Sequence, residues 1–99
     1  MLTLRWTRRA LRDMRHLHDY IAARNPQAAR RMVARIREAT SYLCQTPRMG
    51  KPGRVSETRE LSIAGTPYIL VYLIDGSEIQ IVAVIHVRQQ WPERSDDEG

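Results

Sequence analysis

The residue types best suited to chemistry gather where the last apolar run of the chain ends, in IHVRQQWP (85–92), which places His86, Arg88 and Trp91 within six positions. A histidine changes charge near neutrality and can pass a proton. An arginine grips phosphate or carboxylate through a planar fork, and an indole stacks on a base. Arg54 and Arg59 lie upstream as further cations. Metal-free cleavage of RNA needs a base to activate the 2′-hydroxyl, cations for the developing phosphorane charge and an acid for the leaving oxygen. His86, Arg88 and Arg59 have the types for such work. The same residues could instead shape the edge of a surface that binds a partner, and the choice rests on the elements that hold them.

LTLRW (2–6) alternates apolar and polar positions and predicts a short strand. Thr7 is placed to cap a helix whose apolar stripe is Leu11, Met14, Leu17, His18 and Ile21, with Arg8 and Arg9 in its first turn, where cations oppose the helix dipole. Asn25-Pro26 restarts a second helix, with Asn as cap and Pro at the first helical position. Its stripe is Ala29, Met32, Val33, Ile36, Ala39, Thr40 and Leu43. Two helices this close in sequence form an antiparallel hairpin. His16 and His18 are two apart and point in different directions on a helix, so no metal site is expected there. Cys44, the only cysteine, falls on the same stripe and is expected to be a small core residue.

PRMGKPGRVSE (47–57) is a basic loop carrying Arg48, Lys51 and Arg54, without the spacing of a phosphate-cradling loop. Three strands are predicted after it, at about 58–63, 67–74 and 78–86. Asp75-Gly76 predicts a two-residue hairpin turn, which sets Tyr72 opposite Ile79, Leu70 opposite Ile81 and Tyr68 opposite Ala83. That face would carry the helices. The other face would hold Ile69, Val71, Leu73, Val82 and Val84, edged by Glu78, Gln80 and His86. A turn at Gly65-Thr66 would add Glu60 and Ser62 to it, with Leu61 and Ile63 on the helix side. With no segment left to cover it, this second face is expected to be a docking groove.

The fold class is therefore α+β: an N-terminal strand, an α-helical hairpin and a three-stranded antiparallel meander, with the helices on one face of a small sheet. Residues 1–92 form one domain, and the acidic tail 93–99 is expected to be disordered. The formal net charge is +5, and residues 1–48 hold eleven arginines against Asp13, Asp19 and Glu38. Such a body suits acidic partners: nucleic acid, a ribosome or an acidic protein segment. No stretch approaches the roughly 20 apolar residues of a membrane helix, and no signal peptide is recognised, so the expected location is the cytoplasm with no membrane partner. No metal or other cofactor is expected.

The order strand, helix hairpin, basic loop and meander, together with DYIAARNPQAARR (19–31), GKPGRV (50–55), TREL (58–61), GTPYILVY (65–72) and the terminal IHVRQQWP, resembles the RelE/ParE superfamily of bacterial type II toxins. The resemblance implies a toxin neutralised by a cognate antitoxin, ParD-like or other, in a hetero-oligomer. Ile69, Val71, Leu73, Val82 and Val84 are the expected antitoxin-binding groove. RelE-like members cut mRNA in the ribosome, whereas ParE-like members inhibit DNA gyrase. RelE-like toxins carry an arginine just before the Leu-Val-Tyr of the third strand, and Ile69 stands there in this chain. A His-x-Arg after the last strand also looks like the ParE branch. The ParE-like reading is preferred, with no catalytic residue and with Arg54, Arg59, His86, Arg88 and Trp91 as target-binding candidates. The alternative is a ribosome-dependent endoribonuclease using His86, Arg88 and Arg59.

Overall fold

A computed structural model describes residues 2–93, so the predicted acidic tail falls, apart from Glu93, outside the described residues. The elements are β1 (Thr3–Trp6), α1 (Arg8–Ala22), α2 (Pro26–Leu43), β2 (Lys51–Pro52), β3 (Arg59–Ser62), β4 (Tyr68–Asp75) and β5 (Glu78–His86). The meander is antiparallel, and β1 joins it in parallel beside β5, giving the order β1-β5-β4-β3-β2. The two-residue β2 in the basic loop adds a fifth strand that no alternation in the sequence announces.

Both predicted helix caps form. The Thr7 hydroxyl accepts the Ala10 N–H at 3.1 Å while donating to the carbonyls of Ile81 and Val82, each at 3.0 Å, so the start of α1 is tied to β5. The Asn25 side chain accepts the Ala28 N–H at 3.0 Å, with Pro26 opening α2. Ala10, Met14 and Leu17 are the buried positions of α1. Leu11, expected on that stripe, is instead half exposed, because the i, i+4, i+7 row that meets the sheet runs through Ala10. Ala29, Ile36, Thr40 and Leu43 bury α2, and Cys44 is the partly buried residue that ends it.

The hairpin departs from the predicted register. Asp75 pairs with Glu78, leaving Gly76-Ser77 as the loop, with Gly76 at φ +62°. A turn with Gly first needs positive φ at one residue only, and Asp75 stays in its strand. Tyr72 therefore faces Ile81 and Ile74 faces Ile79, a shift of two residues that keeps the faces intact. A β-bulge follows: Val71 pairs with Ala83, so Val82 is the extra residue and the alternation of β5 reverses beyond it. Leu70 then faces Val84 and Tyr68 faces His86. Val84 and His86 consequently move to the helix side, while Ala83 and Ile85 turn to the other face. The Gly65-Thr66 register holds as expected, with Leu61 opposite Leu70 and Ser62 opposite Ile69.

The main core lies between the sheet and the helices and includes Met14, Leu17, Ile36, Leu43, Leu70, Tyr72, Ile79, Ile81 and Val84. A second cluster, Val71, Ala83 and Ile85, sits on the opposite face with Ile69, Val82 and Trp91 packed against it. The second face is therefore not bare, because the segment after β5 returns across it. Beyond Ile81 the outer edge of β5 runs past the end of β1, and side chains close it: Asp13 accepts the Val84 N–H at 2.9 Å and Gln89 accepts the His86 N–H at 3.2 Å. Closing an edge this way removes a template for unwanted strand pairing.

Candidate functional site

Two surfaces collect the candidate residues, one on each side of the sheet. On the second face, Val71, Ala83 and Ile85 have no exposed surface, and Trp91 is the side chain that completes their burial. The Arg9 guanidinium lies over the indole, 5.4 Å from its centroid, and its Nε donates to both carboxylate oxygens of Asp13 at 2.8 and 2.9 Å. Arg9 also pairs with Glu93. Burial works against the Arg9 cation, but the bonds to Asp13 and Glu93 outweigh it and raise its pKa above the ordinary arginine value. The cation in the first turn of α1 thus has two anionic partners that offset its conflict with the helix dipole. Asp13 links this cluster to the bulged strand through Val84, and the indole N–H of Trp91 is buried without an acceptor among the described residues.

The other end of the face is fixed by Glu60, whose side chain is 3% exposed. It accepts the Arg54 backbone N–H at 2.8 Å and guanidinium bonds at 2.9 to 3.2 Å. These bonds from Arg54 hold the Glu60 carboxyl below its usual range despite burial, and they raise the arginine in turn. Arg54 also reaches the Trp91 carbonyl at 3.4 Å. The basic loop therefore carries one cation that is already matched by a carboxylate. Glu60, expected on an open face, is instead the buried partner of that cation.

The expected groove residues divide accordingly. Ile69, Leu73 and Val82 lie on the second face and are partly exposed, and Val71 shares that face but is fully buried. Val84 does not belong to the groove, because the bulge turns it into the main core at 4% exposure.

His86 also departs from expectation. It faces the helices in a cleft lined by Asp13, His16, Leu17, Tyr20, Tyr68 and Gln89. Its ring stands edge-on to Tyr68 at 5.5 Å, and its Nδ1 accepts the Arg88 N–H at 3.1 Å, which leaves Nε2 as the nitrogen open to the cleft. Burial raises the Tyr68 phenol, with a further contribution from Tyr20. Arg88 itself is exposed in the turn after β5.

Arg59 is far from this cleft. It lies opposite Tyr72, four residues along β4 from Tyr68, and on the other side of that strand from His86. Strand geometry makes the separation about 13 Å along the sheet and about 10 Å across it. Its guanidinium donates to the carbonyls of Gly50 and Arg48, at 2.5 and 3.4 Å. His86 and Arg88 are adjacent, Arg54 and Trp91 are adjacent, and Arg59 joins neither pair. Acid–base partners must reach the same reacting atoms within hydrogen-bond distance, and the strand register sets the backbones of Arg59 and His86 well apart. Sequence reasoning missed Arg9, Asp13 and Glu93; the i, i+4 spacing of Arg9 and Asp13 was the available signal. Among the described residues no group of three or more His, Cys, Asp or Glu side chains could hold a metal ion, and no helix is long and apolar enough to cross a membrane.

Comparison with known proteins bears on this arrangement directly. Residues 4–91 match the family of ParE toxins of the type II toxin–antitoxin system parDE. The putative toxin Y4kP of Sinorhizobium fredii is 46% identical over 90 residues, covering 91% of this chain and 93% of that protein. A structure of the chromosomal ParDE system from P. aeruginosa superposes with a TM-score of 0.79 at 30% identity, covering 87% of this chain and 96% of that one. The toxin–antitoxin complex RelBE2 of Mycobacterium tuberculosis gives 0.65 at 32% identity, covering 86% and 96%. A match across nearly the whole domain, with the same helix hairpin on the same kind of sheet, leaves one conclusion: the chain belongs to the ParE toxin family of type II toxin–antitoxin systems.

Proposed function

We propose that this toxin is held inactive by a cognate antitoxin in a hetero-oligomer and that, when free, it inhibits DNA gyrase through protein contact rather than by cutting mRNA. The observation that carries the proposal is the dispersal of the groups a nuclease would need. Arg59 is about 16 Å from His86 by strand geometry, Arg54 is matched by Glu60, and the sheet face offers Ile69 and Trp91 where cations would be wanted. Losing even one preorganised transition-state donor costs a factor of about 10² to 10³. A chain lacking several is better read as a binding protein. The exposed end of β5, with His86 and Arg88 beside the α1 cleft, is the target-contact region in this reading; Arg54 and Trp91 support the sheet behind it. The antitoxin partner is supported by the ParDE and RelBE2 structures, which are toxin–antitoxin systems.

The test is gyrase-driven supercoiling of relaxed plasmid with purified toxin. Loss of supercoiling at micromolar toxin, restored by adding antitoxin, is the expected result. Unchanged supercoiling, together with codon-positioned mRNA cuts in primer extension that vanish in His86→Ala, would assign the chain to ribosome-dependent endoribonucleases instead.

A further inference from the structure

Three arginines of α1 form a row that the fold leaves unmatched. Arg8, Arg12 and Arg15 are exposed and follow one another at helical spacing, four and then three residues apart. Ala10, Met14 and Leu17 are buried, which puts the three arginines on the opposite, outer side of the helix. Like charges at these spacings repel, and Arg8 in the first turn also opposes the helix dipole. Elsewhere the fold answers such conflicts with acids: Arg9 has Asp13 and Glu93, Arg5 has Glu78, Arg35 has Glu38 and Arg54 has Glu60. Among the described residues no carboxylate lies within ion-pair distance of Arg8, Arg12 or Arg15. Asp19, past the end of the row, is bonded to His18 at 3.1 Å.

The row spans about 10 Å at 1.5 Å per helical residue. Over that length one strand of duplex DNA presents about three phosphates along its axis. Leu11 stands beside the row as an isolated half-exposed side chain, and Tyr20 lines the α1 cleft instead. An acidic peptide draws its affinity from apolar anchors seated in pockets, whereas a phosphate backbone needs only the cations. We infer that Arg8, Arg12 and Arg15 form a phosphate-binding track for duplex DNA, and that the toxin meets its target on DNA. The track adjoins the proposed target contact: His16, one turn after Arg12, lines the cleft together with Tyr20 and His86, and exposed Arg88 follows in the turn after β5. Guanidinium groups on phosphate read no sequence, so the choice of DNA rests on the gyrase reading above.

The experiment is fluorescence anisotropy of short labelled duplex DNA titrated with the full chain, across about 50 to 200 mM salt. Each phosphate contact contributes about 0.9 to the slope of log affinity against log salt. The triple variant Arg8→Gln, Arg12→Gln, Arg15→Gln should therefore flatten that slope by about 2.7 and weaken binding alike on unrelated sequences. Over this fourfold range of salt the wild type should lose about 40-fold more affinity than the variant. Arg30→Gln, Arg31→Gln, Arg48→Gln removes the same charge from other exposed positions and should flatten the slope by about 1 or less. The row variant should also need more toxin to halve gyrase-driven supercoiling. Equal flattening by the two variants would overturn the track, because binding would then follow net charge alone. Tighter binding to duplex RNA of the same length, lost in the row variant, would overturn the assignment to DNA. A row variant that stops supercoiling as well as the wild type would overturn the track and leave the gyrase reading standing. A wild type that binds DNA through the row but leaves supercoiling untouched would overturn that reading and support the track alone.

Discussion

Glu60→Gln isolates the pair that anchors the basic loop to the second face. The Glu60 carboxylate is 3% exposed and receives the Arg54 backbone N–H and its guanidinium, whereas Arg54 is 46% exposed. Glutamine preserves the shape and one acceptor oxygen but removes the charge and places an NH2 against a guanidinium. Breaking a fully buried pair costs about 3–5 kcal/mol, because a charge is stranded. Arg54 can turn to water, so the expected loss is nearer the roughly 2 kcal/mol of hydrogen bonds to a charged group. At this chain length each kcal/mol lowers the melting midpoint by about 4–8 °C. The pH dependence has a fixed sign. The folded carboxyl is held below its ordinary value of 4.5, so its contribution is complete above the unfolded pKa and is lost as pH falls through the lower folded one. Urea denaturation of both proteins at pH 7 and across the acid range below 4.5 is the assay. The gap between them should be widest at pH 7 and close as acid protonates Glu60. A gap that is constant with pH, or under about 0.5 kcal/mol at pH 7, within the range of an ordinary surface change, would refute the account of Glu60 as an ionised anchor.

Trp91→Ala should destabilise the fold by about 2 kcal/mol, below the 3–5 of a fully buried tryptophan, and should raise binding of an apolar dye as Val71, Ala83 and Ile85 become exposed; unchanged dye binding would show that another segment covers them. Asp13→Ala strands the Val84 N–H and leaves the Arg9 guanidinium with Glu93 alone, so a loss of about 1–3 kcal/mol in urea denaturation is expected, together with faster amide exchange at Val84. Gly50→Ala puts a methyl within 2.9 Å of the Tyr72 ring and of the Glu60 carbonyl, where Gly50 N–H donates to a tyrosine hydroxyl that itself bonds the Pro47 carbonyl. Overpacking of about 1–3 kcal/mol should follow, readable as a lower urea midpoint with the slope unchanged.

Much of the fold is legible in the sequence because it is written in local chemistry. Thr7 and Asn25-Pro26 mark the helix starts through hydrogen bonds that each residue makes within three positions of itself. The Gly65-Thr66 register is equally local. β2 is illegible because two residues cannot display a period, and the place of β1 beside β5 depends on partners more than seventy residues away.

The candidate site was harder to read chiefly because of the bulge at Val82. Around it the chain reads IQIVAVIH, apolar on both faces of the strand, so the sequence carries no contrast by which a one-residue slip would show. Yet that slip decides where the candidate residues lie. It takes His86 away from the face where Arg54 lies and sets it beside Tyr68, and it buries Val84 among the helices. It also brings Ile85 to the outer face, where Trp91 covers it. Asp13 accepts the amide of Val84, two residues past the bulge, and holds Arg9 over that same tryptophan, so one carboxylate couples the reversed strand to the segment that closes the sheet. A histidine and an arginine two positions apart in sequence resembled half of a nuclease site. The reversed strand makes them the rim of a cleft against α1, with the other cations on the far side of β4.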